Sequence, residues 1–174
     1  MKSTSVFALF LLLSLAPLTG AGYNDRDNTL VRFKGGIGVD PISNVTVSGS
    51  TTTASPNTVR GVSPPGQIWR IGDFTATVKV GGQIRLSGRG LLLAGGNGIG
   101  TNGGQSVFAT LFCGPASGAS ASSSSSTGVP LEADGDFIIN DVLSPEPPDP
   151  CTTPVLLIRT TGGAHPWFAA GIPD

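Results

Sequence analysis

The 174-residue chain has 12% charged residues, 26 glycines, 14 prolines and a formal net charge of -1. That length suits one ordinary domain and excludes a large multidomain enzyme. The charge leaves no bulk basicity to neutralise phosphates, which excludes a general nucleic-acid binder. Two cysteines cannot build a four-ligand zinc site without the single histidine and carboxylates.

The chain opens on Lys2, an apolar run over 6–16, Pro17, and the small residues Thr19, Gly20, Ala21 and Gly22. A basic, an apolar and a small-residue segment in that order predict a signal peptide over 1–22, cleaved after Ala21 or Gly22. The run is too short to span a bilayer comfortably. The cleavage zone has no cysteine to carry a lipid, and HPWFAAGIPD is not the hydrophobic tail of a GPI signal. The expectation is a secreted, extracellular protein, periplasmic or at the cell surface in a bacterium, with no stable membrane anchor after cleavage. Residues 23–174 then form one domain, long enough to bury one core.

An exported chain meets an oxidising compartment. Cys113 and Cys151 allow one intramolecular pairing, and a disulfide between them is expected. It closes a loop of about 39 residues, worth about 4 kcal/mol on the chain-entropy view. The alternative is two free buried thiols. Neither cysteine has a histidine or basic neighbour in sequence that would mark it as catalytic.

Amphipathic helix patterns are missing, and glycine, proline, serine and threonine are spread throughout. Alternation of period two takes their place. Strands are expected at 30–34, 58–62 and 67–71. Over 73–80, Phe74, Ala76, Val78 and Val80 alternate with Asp73, Thr75, Thr77 and Lys79, the mark of a strand with one wet face. Gly81-Gly82 then supplies the positive φ of a primed hairpin turn, and 83–87 returns. Gly88 and Gly90 are expected to mark a bulge, with 91–94 continuing the strand. Further strands are expected at 106–113, 154–160 and 167–172, and a hairpin in LEADGDFIIN turning at Asp134-Gly135.

About eight short strands with close turn signals predict an all-β domain, a β-sandwich of immunoglobulin-like or similar type, or alternatively a small β-barrel. Three segments are expected to be loops: the Ser/Thr-rich 45–56, the low-complexity 115–128 with its Ser122–Ser126 run as a flexible tip, and the stiff SPEPPDP of 144–150.

Charge is uneven. Residues 23–90 hold 8 basic and 4 acidic side chains, residues 91–174 hold 1 and 7, and none falls between Gly90 and Leu131. Pairing across neighbouring strands is the expected outcome; a dipolar surface is the other.

Each candidate site has an ordinary reading beside it. The glycines of 95–100 precede another strand rather than a helix, so a turn is expected rather than a phosphate cradle. Glu132, Asp134, Asp136 and Asp141 are acidic neighbours without EF-hand spacing, expected at a wet turn rather than as a calcium or glycosidase site. His165 has no G-x-S-x-G nucleophile elbow to serve and reads as an exposed loop histidine. Trp69 and Trp167 are the possible ligand platform if exposed, and core fillers if not. Asn44-Val45-Thr46 is a glycosylation sequon, relevant in a eukaryotic secretory route. No motif for a cofactor or metal is assembled.

The stretches GRGLLLAGGNGIGTNGGQSVFATLFCG, VPLEADGDFIINDVLSPEPPDPC, PVLLIR and WFAAGIP resemble small exported bacterial proteins that form a family of unknown function. The resemblance covers about residues 30–174 outside the serine-rich insertion. It implies a bacterial source, which disfavours glycosylation at Asn44, and carries over no functional residue. The functional expectation is a non-enzymatic binding module for an extracellular protein or glycan. The alternatives are a secreted hydrolase of an extracellular polymer acting through Asp134, Asp136 or Asp141, and a structural envelope protein.

Overall fold

The computed structural model describes residues 28–117, 120–125 and 127–174. The signal-peptide expectation lies outside them. Among the described residues there are thirteen strands and no helix. In chain order they are β1 (Thr29–Gly38), β2 (Ile42–Ser48), β3 (Thr51–Pro56), β4 (Trp69–Arg70), β5 (Asp73–Lys79), β6 (Gln83–Arg89), β7 (Leu92–Leu93), β8 (Ser106–Cys113), β9 (Ala121–Ser124), β10 (Val129–Pro130), β11 (Phe137–Val142), β12 (Val155–Thr160) and β13 (Trp167–Pro173).

The fold is all-β. One antiparallel sheet runs β10-β8-β12-β13-β1-β5-β6-β11, with β9 also paired to β8. It curls into half a barrel around a core that includes Phe74, Ile84, Leu111, Ile139, Leu156 and Ile158. Its two ends approach each other. The turn 131–136 links β10 to β11, and Ser124 and Ser144 exchange backbone hydrogen bonds of 2.9 and 2.8 Å. Two small sheets, β2-β3 and β4-β7, stand beside it.

The β5-β6 hairpin follows from its alternation. Phe74, Ala76 and Val78 are buried against Ile84 and Leu86, while Thr75 and Arg85 are exposed. Gly81 and Gly82 turn at φ of 86° and 81°, a conformation that a Cβ disfavours. Gly88 is not a bulge, because the register runs unbroken from Asp73↔Arg89 to Val78↔Ile84. It makes room for an aromatic ring instead: a Cβ there would lie 2.3 Å from Phe137 Cε1. Gly88→Ala is therefore expected to displace the ring and cost about 1–3 kcal/mol. Urea unfolding checks this, and an unchanged midpoint would contradict the packing. The strand stops at Arg89. Leu92 and Leu93 pair with Arg70 and Trp69, so 91–94 does not extend β6 as expected.

Other expectations shift for local reasons. Residues 58–62 are a tight turn, with Val59 and Val62 exchanging hydrogen bonds of 2.9 and 3.0 Å around Arg60 and Gly61. Residues 42–56 are no loop but the exposed β2-β3 hairpin, on which Asn44 lies opposite Ser55. The serine-rich segment contributes β9, and just after it buried Ser125 bonds Ala109 through both backbone and Oγ. The turn in LEADGDFIIN forms, yet it joins two sheet ends: β10 pairs with β8, and β11 with β6.

Cys113 and Cys151 are bridged, with Cα atoms 4.9 Å apart. Arg60 fastens the same corner, donating to the carbonyls of Gly114 at 2.8 Å and Thr153 at 2.7 Å.

Against the expected pairing of the charged halves, Arg70 pairs with Asp40 at 2.9 Å, both within the basic half. The sheet order sets other neighbours. Arg32 lies opposite Thr77, and Arg85 lies between Thr77 and Asn140. Most of the later acids fall in the turn 131–136 and the loop 144–150, whereas Asp141 lies on β11 opposite Ile84 of β6, and Asp174 N donates to Arg32 O at 3.0 Å.

Candidate functional site

Three glycine- and proline-rich segments, far apart in sequence, converge beside the β4-β7 pair. They are 61–67 before β4, 103–105 before β8, and the 160–166 connection from β12 to β13. Between them lies a cleft of about 800 Å³, into which Trp69, Leu93 and Phe168 also face. Short backbone-rich segments give such a space shape at little side-chain entropy.

Its inner wall is fixed by packing. The Trp69 indole stacks on Phe168 with centroids 4.1 Å apart and planes 10° from parallel. Trp69 N donates to Val39 O at 3.0 Å, which ties β4 to the end of β1. Trp167 N donates to Ser63 O at 3.2 Å and holds the first loop against β13.

The polar lining is also positioned. Thr160 Oγ donates to Gln105 Oε1 at 2.8 Å, and Gln105 Nε2 donates to Gly103 O at 3.1 Å. Arg159 contributes to the wall. Its Nε donates to His165 O at 2.9 Å, and its guanidinium carbon lies 5.2 Å from the Phe108 ring centroid. Burial pulls its pKa below the ordinary arginine range.

The lining holds one ionisable side chain, Arg159, together with Gln67, Gln105, Ser63 and Thr160. Such a set can hold a ligand through apolar contact, amide hydrogen bonds and one positive charge. General acid–base chemistry needs a group that gives and takes protons near neutral pH, and among the described residues no carboxylate, histidine or cysteine lines the cleft.

The residues singled out in the sequence fall mostly elsewhere. Trp69 reaches the cleft but is only 3% exposed, and Trp167 is 4% exposed with Nε1 donating to Asn57 O at 2.9 Å. Neither offers an open ring face, so the two tryptophans do not form an exposed platform. Acrylamide quenching should accordingly be weak for both, read separately in Trp69→Phe and Trp167→Phe variants; strong quenching of either would contradict the packing.

His165 is exposed at φ 55°, with its N donating to Gly162 O and Nδ1 3.1 Å from Thr160 O. It braces the turn at the cleft rim. The acidic neighbours serve backbone geometry: Asp136 Oδ1 accepts from Gly90 N at 3.0 Å, Asp134 Oδ1 from Asp136 N at 3.2 Å, and Asp141 Oδ1 from Val142 N at 2.7 Å. Among the described residues no three His, Cys, Asp or Glu side chains gather as a metal site. The glycines of 95–100 form a closed turn, Gly100 N donating to Leu93 O at 2.9 Å.

Sequence reasoning missed Val62, Gln67, Gln105 and Phe168. The available signal was the three Gly/Pro clusters flanking aromatic positions, but their convergence depends on the sheet order. Comparison with known protein families, with curated proteins and with solved structures finds no match.

Proposed function

We propose that the protein is an exported, non-enzymatic binding domain that takes a partly apolar group of an extracellular glycan or protein into the cleft beside Trp69 and Phe168. The observation that carries this reading is a fixed inner wall and a pre-positioned Gln105 without an acid–base pair among the described lining residues. Export has support from the signal-peptide pattern and from a bridged cysteine pair, which suits an oxidising compartment. The resemblance to small exported bacterial proteins points the same way. The hydrolase reading has weaker support, because Asp134, Asp136 and Asp141 each accept from nearby backbone amides and lie outside the cleft.

Gly66 gives the test. It lies on the cleft wall, has no left-handed φ, and a Cβ there meets nothing within 4 Å. Gly66→Trp should fill the cleft without disturbing the fold. Glycan and peptide arrays probed with wild type and variant should show ligands lost by the variant at unchanged Tm. Ligands retained by the variant would place binding elsewhere, and arrays without a ligand for wild type would count against the reading.

A further inference from the structure

Three exposed cations from the first half of the chain, Arg32, Lys34 and Arg85, share one surface. Strands β1, β5, β6 and β11 are neighbours, and their outward residues form rows across the sheet. One row is Arg32, Thr77, Arg85 and Asn140; the next is Lys34, Thr75, Ser87 and Ile138. Arg32, Lys34 and Arg85 are exposed and have no acidic partner among the described residues. At the ordinary strand spacing Arg32 and Arg85 stand about 10 Å apart, and Arg32 and Lys34 about 7 Å apart along β1. Asp73, at one end of β5, turns Oδ1 to Phe74 N at 2.8 Å.

Neutral hydrogen-bonding groups fill the ground between the cations. Thr75, Thr77, Ser87 and Asn140 line a shallow depression of about 290 Å³ with Arg85 and Ile138. Ile138 is 63% exposed, an apolar seat beside the hydroxyl groups.

We propose that this sheet face binds a linear acidic polysaccharide, a chain that repeats carboxylate or sulfate groups among hydroxyls. The separated cations match charges spaced along such a chain, and the threonine, serine and asparagine groups match its hydroxyls. The C–H face of a sugar ring suits Ile138. Single-stranded nucleic acid fits less well, because the two rows carry no aromatic ring on which a base stacks. An anionic bilayer fits less well too, since the rows hold no tryptophan, tyrosine or phenylalanine to enter the interface. The surface is separate from the cleft: the two share no lining residue.

Binding of polygalacturonate oligomers and of dextran sulfate by the disulfide-intact protein tests the proposal. Neutral dextran, phosphatidylglycerol vesicles and single-stranded DNA are measured alongside. Binding of either acidic polysaccharide is expected, with no response to neutral dextran, and it should weaken as salt rises. The Arg32→Gln/Arg85→Gln variant should lose about tenfold or more in affinity at unchanged Tm, while Gly66→Trp should bind as wild type does. Tighter binding to vesicles or DNA would overturn the ligand class. Absence of binding at low salt, or binding indifferent to the double substitution, would overturn the site.

Discussion

Replacing both half-cystines, Cys113→Ser with Cys151→Ser, is expected to lower the free energy of unfolding by about 2–5 kcal/mol while leaving the native fold in place. The bridge joins the end of β8 to the segment entering β12, two strands already paired from Val155↔Phe112 to Thr160↔Val107. The native corner keeps other ties without it. Gly114 N donates to Thr152 O at 2.7 Å, and Arg60 reaches the carbonyls of Gly114 and Thr153. The loss therefore falls chiefly on the unfolded chain, which gains freedom once the loop is open. Denaturant unfolding of the oxidised protein against the double variant reads the difference. A loss well under 1 kcal/mol would mean that the bridge does not constrain the chain as the structure places it.

Trp69→Ala is expected to cost about 3–5 kcal/mol, the range for removing a buried aromatic ring. Trp69 sits on a two-residue strand that pairs with Leu92–Leu93 and is tied to β1 by Trp69 N to Val39 O, so its ring packing is a large share of what docks that short element. Its ring stacks on Phe168 of the main sheet and is almost wholly buried. Deleting it removes both the stack and part of the cleft wall. Trp69→Phe keeps an aromatic ring and should cost markedly less. Thermal unfolding of the two variants separates loss of packing from loss of the indole alone. Equal stability of Trp69→Ala and wild type would show that the β4-β7 pair is not docked as described.

Local pattern made part of this fold legible. The β5-β6 hairpin was readable because one face is buried and two glycines mark its turn. The Cys113–Cys151 pairing was readable because a pair of cysteines leaves one intramolecular solution. The β2-β3 hairpin was not. Its Val45 and Val47 alternate with polar residues, yet they remain 54% and 69% exposed, so no buried face distinguishes it from a Ser/Thr-rich loop. At β9 the serines are satisfied by β8: the Thr110 and Ser124 hydroxyls meet at 2.9 Å, and Ser125, just after the strand, accepts from Ala109 N. Composition alone reads such a segment as low-complexity. Charge neighbours were not legible because they follow from the sheet order, in which β1 pairs with β5 and β13. The cleft was hidden for the same reason, since its walls come from residues 61–67, 103–105 and 159–166, and only that order brings them together.

The most direct measurement of the central claim is an NMR screen of small fragments against isotope-labelled residues 23–174, with shifts mapped on the assigned backbone. The account predicts that responses cluster on Val62, Gln67, Trp69, Gln105, Thr160 and Phe168, and that Gly66→Trp removes them. A silent cleft, or fragments gathering at another surface, would contradict the assignment of this cleft as the binding site.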